Sequence, residues 1–124
     1  MKLLDTSAWV EYFKGSKKGE VVRDCLKQPE VYTSALTLAE LSRWFTVNKG
    51  DVGLAIEQVK KNSIIIQVEE DVLVESGKLY VVLRKTRKSI GMVDIILYVT
   101  ALSHGLTLIT GDKDFQGLTS IEML

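Results

Sequence analysis

Lys2-Leu3-Leu4-Asp5-Thr6-Ser7-Ala8-Trp9 sets the pattern that the rest of the chain repeats. A short apolar run ends abruptly in an acid, and two hydroxyl residues then lead into a helical periodicity. Lys2–Asp5 reads as a short strand and Ser7–Lys14 as the helix after it. Working outward, Lys17–Lys27 predicts a second helix and Glu30–Thr33 a short strand. Leu36–Asn48 carries apolar residues at 36, 38, 41, 44 and 45, a helical stripe, and Asn48-Lys49-Gly50-Asp51 closes it and caps a helix over Asp51–Lys61. Ser63–Val68 is an isoleucine-rich strand, Glu70–Lys85 and Met92–His104 are amphipathic helices, and Thr107–Thr110 and Ser120–Met123 are strands. Short strands alternating with helices predict an α/β fold in three layers, α/β/α, around a central, mostly parallel sheet. With no repeat, low-complexity stretch or linker, residues 1–124 read as a single domain.

Composition limits the function classes. Apolar residues make up 46% and charged residues 26% of the 124 residues, as expected of a globular chain that buries its own core. Lys+Arg and Asp+Glu both total 16, so the molecule has no net field to draw in nucleic acid, and any such contact needs a local basic patch. The lone Cys25 rules out an internal disulfide and a multi-cysteine zinc site, and its spacing with Val21, Val22 and Leu26 predicts a buried core position. No apolar run is long enough to span a bilayer, and the short Leu3-Leu4 pair does not make a signal peptide, so the expectation is a cytoplasmic protein. No phosphate-binding glycine loop of the nucleotide-binding kinds is present. His104, the sole histidine, falls near a helix C-terminus, where it complements the helix dipole.

Four acids carry the chemistry. In a parallel α/β sheet, ligands collect outside the carboxyl ends of the strands. Asp5 ends the first strand, Asp112 follows Leu108-Ile109-Thr110, and Glu40 and Asp94 stand in the early turns of two helices, which start at that same edge. Each has a structural alternative. Asp5 can cap the first helix, Thr37-x-x-Glu40 fits a capping box, Asp94 complements a helix N-terminus, and Asp112-Lys113-Asp114 can form a turn. Together, four converging carboxylates repel one another and need a cation, and oxygen-only ligands suit Mg²⁺ or Mn²⁺.

Leu3-Leu4-Asp5-Thr6-Ser7-Ala8-Trp9, Thr37-Leu38-Ala39-Glu40-Leu41, Asp94 opening an apolar helix that ends Thr100-Ala101-Leu102-Ser103-His104-Gly105-Leu106, and Leu108-Ile109-Thr110-Gly111-Asp112-Lys113-Asp114-Phe115 form an ordered set. In order and spacing they resemble the motifs of PIN-domain ribonucleases, in particular the VapC-type toxins of prokaryotic toxin–antitoxin pairs. The resemblance spans nearly the whole chain. It implies that Asp5, Glu40, Asp94 and Asp112 hold one or two Mg²⁺ or Mn²⁺ ions for hydrolysis of an RNA phosphodiester. Thr6, Ser7 and Thr110 have hydroxyls suited to orienting a carboxylate or phosphate, with helix capping as the alternative. Asp114 is a supporting acid or the cap of Phe115.

Candidate RNA contacts are Lys14, with Lys17 and Lys18 near it, and the run Arg84-Lys85-Thr86-Arg87-Lys88 just before Asp94. A charge run of this kind also reads as a solvated face. The resemblance further implies a homodimer and an antitoxin protein partner, with Trp9, Phe13, Trp44 and Phe45 available either to those interfaces or to the core. Two other functions fit the outline: a housekeeping RNA-processing nuclease, and a non-catalytic, metal-binding signalling module resembling a response-regulator receiver. Against the receiver, Asp5 is unpaired and Ile64-Ile65-Ile66-Gln67-Val68 leads into Glu69-Glu70 rather than an aspartyl acceptor.

Overall fold

The computed structural model describes all 124 residues. Its elements are β1 (Lys2–Leu4), α1 (Thr6–Lys14), α2 (Lys17–Leu26), β2 (Val31–Ser34), α3 (Ala35–Val47), α4 (Val52–Asn62), β3 (Ile64–Ile66), α5 (Glu70–Leu83), α6 (Met92–Ser103), β4 (Thr107–Thr110) and β5 (Ile121–Met123), with one 3-10 turn at Lys113–Phe115. Every expected helix and strand is present, with ends displaced by a few residues at most.

The five strands pair in the order β3-β2-β1-β4-β5, and every pairing is parallel. From β1 the chain winds outward through β2 to β3, then crosses back to lay β4 on the other side of β1. The winding therefore reverses between β1 and β4, which opens a crevice at their carboxyl ends. A receiver follows the order 2-1-3-4-5 instead, so the topology departs from that alternative.

Alternation along the strands splits the core in two. Leu3 and Leu108 pack on one face with Val72 of α5 and Ile95, Tyr98 and Ala101 of α6. Leu4 and Ile109 pack on the other with Ala8 and Trp9 of α1, Val22 and Cys25 of α2, Leu41 of α3 and Val59 of α4. Adjacent strand residues thus feed opposite layers, the period of two that a sheet covered on both faces requires. Cys25 is buried as its spacing predicts, and burial pushes its thiol pKa up. Trp9 is completely buried, with its indole N–H donating to Thr33 Oγ1 at 3.0 Å.

Helix starts are set by local side chains. Asp5 caps α1 by accepting from the Ala8 N–H at 2.8 Å, and Ser16 caps α2 by accepting from Gly19 N–H at 3.0 Å. Gly15 ends α1 at φ 67°, a conformation glycine adopts without steric cost. Gly19 is required for a different reason: a Cβ there would lie 2.1 Å from the Glu11 carbonyl oxygen, so α1 and α2 meet backbone to backbone.

The cap of α3 differs from the capping-box reading. β2 runs into α3 without a loop, and Ser34, its last residue, accepts from the Leu36 N–H at 3.2 Å. Thr37 lies inside the helix, fully buried, so Thr37-x-x-Glu40 is not a capping box and Glu40 is released from that role. His104 caps the C-terminus of α6, with Nε2 3.8 Å from Glu69 Oε1. No helix is long and apolar enough to cross a membrane.

Candidate active site

The crevice between β1 and β4 is where the acids gather. Asp5 follows β1 directly, and its backbone N–H donates to Ile109 of β4 at 3.1 Å. Its carboxylate is nearly buried and saturated with donors. Oδ1 accepts from Ser7 Oγ at 2.6 Å and from Ala8 N–H, and Oδ2 accepts from the Thr110 hydroxyl. Both hydroxyls are themselves held by the loop after β4. Gly111 N–H donates to Ser7 Oγ at 2.9 Å, and Asp112 N–H donates to Thr110 Oγ1 at 3.0 Å.

The other acids come from three separate elements. Glu40, on the second turn of α3, accepts from Thr6 Oγ1 at 2.5 Å, and Thr6 also contacts Thr37 Oγ1 at 3.4 Å. Asp94, on the first turn of α6, accepts from the Gly91 N–H at 3.0 Å. Asp112 caps the 3-10 turn by accepting from Asp114 N–H at 2.9 Å. Caps and converging acids are therefore the same residues at Asp5, Asp94 and Asp112, because a cap needs only one of a carboxylate's acceptor positions. Thr6, Ser7 and Thr110 direct their hydroxyls at carboxylates rather than at free helix ends.

Asp5, Glu40, Asp94 and Asp112 line one cavity of about 330 Å³, together with Thr6, Ser7, Val10, Glu11 and Leu97. None of the four forms an ion pair with a Lys, Arg or His. Burial pushes the Asp5 carboxyl up to about 6, against the pull of the Ser7, Thr110 and Ala8 donors, and the charge of Asp94 adds to the rise. Asp94 is raised as well, first by burial and then by the charges of Asp112, Glu40 and Asp114, with the Gly91 N–H opposing them. The site is a concentration of negative charge without a cationic side chain, in a half-buried crevice.

The PIN domain family model matches residues 2–119. The chain belongs to the PIN domain family. Among solved structures, a PIN fold of this kind recurs in a toxin–antitoxin complex from Klebsiella pneumoniae, with 24% identity, 99% of this chain and 97% of that one covered, and a TM-score of 0.76. It recurs in VapC20 of Mycobacterium tuberculosis, a Sarcin-Ricin loop cleaving toxin, with 18% identity, 96% and 95% covered, and a TM-score of 0.76. FitAcB from Neisseria gonorrhoeae is 26% identical over 92% of this chain and 89% of that one, with a TM-score of 0.65. A comparison with curated protein sequences finds no match.

This PIN domain offers a divalent ion only oxygen ligands. No three acidic, histidine or cysteine side chains close tightly enough to cage a bare ion. Mg²⁺ sheds its waters reluctantly and usually binds through one or two carboxylates, so spaced acids around an open cavity suit a hydrated ion. A buried, unpaired carboxylate with a raised pKa is the feature such an ion would relieve.

The candidate RNA contacts divide into bound and free cations. Lys14 reaches Glu11 Oε1 at 3.6 Å, and Glu11 lines the acidic cavity. Arg84 donates to Ile90 O at 3.1 Å and lies 5.3 Å from the centre of the Tyr80 ring. Arg87 donates to the carbonyls of Asp114 and Gln116. Lys85 and Lys88 are exposed and unpaired. Asp114 is not the cap of Phe115; its Oδ1 accepts from Ser89 Oγ at 2.7 Å.

Sequence reasoning passed over Glu11 and Ser89. Glu11 was detectable as the i+4 partner of Ser7 on α1, the face turned to the site. Nothing short of the tertiary structure pairs Ser89 with Asp114.

Proposed function

We propose that the protein is a Mg²⁺- or Mn²⁺-dependent endoribonuclease and the toxin of a toxin–antitoxin pair, acting in the cytoplasm on RNA. What carries this reading is the set of four unpaired carboxylates around one cavity at the β1/β4 reversal.

Asp5 is the central ligand, because its position is over-determined by β1, by three donors and by the β4 loop. Glu40, Asp94 and Asp112 complete the ligand set directly or through water. Thr6 fixes Glu40, while Ser7 and Thr110 hold Asp5 by hydroxyls that the Gly111 and Asp112 amides anchor in turn. When bound, the ion supplies a lowered water pKa and charge neutralisation at the phosphoryl group. A carboxylate of this set that meets the ion through water rather than directly can accept the proton that the attacking water loses. Lys14, Arg84, Lys85, Arg87 and Lys88 remain the candidate RNA-facing cations, with Lys85 and Lys88 the least engaged.

The neighbouring structures support the toxin reading over a housekeeping nuclease: one is a toxin–antitoxin complex from Klebsiella pneumoniae, and another is a VapBC complex from Rickettsia felis bound to promoter DNA. On that basis the protein binds an antitoxin, and the motif resemblance implies a homodimer. Tyr12, Phe13, Phe45 and Leu54 line an open groove of about 460 Å³ available to a protein partner, whereas Trp9 is committed to the core.

The test is cleavage of a mixed RNA pool by the purified protein with Mg²⁺, Mn²⁺ or chelator, beside Asp5→Asn. Ion-dependent cleavage that the substitution abolishes is the expected result. Cleavage that survives chelator would refute the mechanism. For the toxin reading, expression alone should arrest growth; cells that grow normally while making active enzyme would favour RNA processing.

A further inference from the structure

Asp94 and Asp112 approach the site from elements that no strand pairing joins, a helix start and a turn. Asp94 begins α6 after the segment that closes α5, and Asp112 sits on the turn after β4. Two side chains of the α5–α6 segment cross to that turn. Arg87 Nη1 donates to the Gln116 carbonyl at 3.0 Å and to the Asp114 carbonyl at 3.4 Å. Ser89 Oγ donates to Asp114 Oδ1 at 2.7 Å. The same segment is braced from within, since Arg84 donates to the Ile90 carbonyl at 3.1 Å, one residue before the cap of α6.

The Arg87 guanidinium lies over Gly117 at ordinary contact distance. Its Nη2 would stand 3.7 Å from a Cβ on Gly117, whose φ is +88°, and its Nε is buried without an acceptor. A buried donor without an acceptor is costly, and the two bonds from Nη1 are what hold this guanidinium on the turn. The planar guanidinium holds Nη1 between the two carbonyls of the turn, whereas a lysine ammonium ends a flexible stem and is not fixed in that way.

We propose that Arg87 and Ser89 are positioning residues that clamp the segment leading into the Asp94 helix start to the Asp112 turn and so set the gap between these two carboxylates. The proposal rests on the reading of the acids as a divalent-metal site. It takes Arg87 out of the RNA-contact set and gives it a structural task beside the site. Partners that orient metal ligands typically affect ion affinity by ten- to a hundredfold when removed.

The experiment is Mn²⁺ titration, by calorimetry and by the apparent activation constant for RNA cleavage, of the full chain and of Arg87→Ala, Arg87→Lys and Ser89→Ala. Arg87→Ala should weaken Mn²⁺ binding about tenfold or more, Arg87→Lys should recover only part of that, and Ser89→Ala should weaken it about threefold. At saturating Mn²⁺ the cleavage rate of each variant should return to within about threefold of the parent, because the ligands themselves are intact. If Arg87→Ala does not fold, Ser89→Ala decides: it removes one exposed hydroxyl and nothing from the core. Unchanged Mn²⁺ affinity in the folded variants overturns the clamp, as does a lower rate with an unchanged activation constant. A parent protein that binds no Mn²⁺ overturns the metal-site reading itself and the clamp with it.

Discussion

Thr110 donates its hydroxyl to Asp5 Oδ2 across the β1–β4 boundary while accepting the Asp112 N–H at 3.0 Å. A single hydroxyl therefore links an acid at the end of one strand to the backbone of an acid beyond the end of its neighbour. Ser7 repeats the device between Asp5 and Gly111. Thr110→Val keeps the shape, removes that link and leaves Asp112 N–H without its acceptor. A loss of about 1–3 kcal/mol in stability is expected from the stranded groups, with Mn²⁺ affinity down by about ten- to a hundredfold. Thr110→Ser should restore most of both, as read by denaturation and metal titration.

Asp5 makes the metal-free protein sensitive to pH. Its carboxyl is pushed up to about 6 in the fold, above the unfolded value of about 3.9, so the native state holds the proton more tightly. The associated stability is full below about pH 4 and is lost as pH rises through 6, on the order of 2–3 kcal/mol in all. In chelator, Asp5→Asn should therefore melt at a higher temperature than the parent at pH 7.5, and the gap should shrink towards pH 4. Thermal melts across that range test it. A variant no more stable at pH 7.5 would contradict the uncompensated-charge account.

Divalent ions should reverse that penalty. Binding to the native state alone stabilises by mass action, about 2.7 kcal/mol at a free ion concentration a hundred times the Kd. Mn²⁺ should raise the melting temperature of the parent at pH 7.5 and leave Asp5→Asn and Asp94→Asn nearly unmoved. Equal shifts in all three would place the ion elsewhere.

Thr6 offers a cleaner probe of Glu40, because it holds that carboxylate at 2.5 Å without touching Asp5. Thr6→Val should lower cleavage about tenfold at limiting ion, with stability changed by no more than about 1 kcal/mol. Thr6→Ser should rescue it. Steady-state rates at two ion concentrations suffice.

Gly19 tests the packing rather than the chemistry. A methyl group there meets the Glu11 backbone, which cannot move aside as a flexible side chain would. Gly19→Ala should cost about 1–3 kcal/mol or more in urea denaturation by forcing α1 and α2 apart. Gly111→Ala is the matched control, since its Cβ would meet only Ser7 Oγ at an ordinary 3.7 Å.

The sheet and its acids were legible in the sequence because they rest on local signals. An apolar run that breaks at Asp5 or after Thr110 marks a strand's carboxyl end, and parallel winding sends those ends to one edge. Glu40 and Asp94 join them because they stand in the early turns of helices that start at that same edge, and the family resemblance implied their shared role as metal ligands. The capping-box alternative at Thr37 looked open because Ser34, the cap of α3, also serves as the last residue of a strand. The basic run 84–88 looked uniform because linear charge carries no direction: Arg87 folds onto carbonyls 27 and 29 residues ahead, while Lys85 and Lys88 stay in solvent. The Ser7–Gly111 and Thr110–Asp5 bonds span more than a hundred residues and have no sequence signature.

The central claim is that four carboxylates from β1, α3, α6 and the β4 turn act as one metal site. Mn²⁺ binding to the parent and to Asp5→Asn, Glu40→Gln, Asp94→Asn and Asp112→Asn, beside the remote control Asp24→Asn, tests it most directly. The account predicts weaker binding in each of the four and parental affinity in the control. Mn²⁺ affinity that is untouched by Asp5→Asn and Asp94→Asn would contradict it.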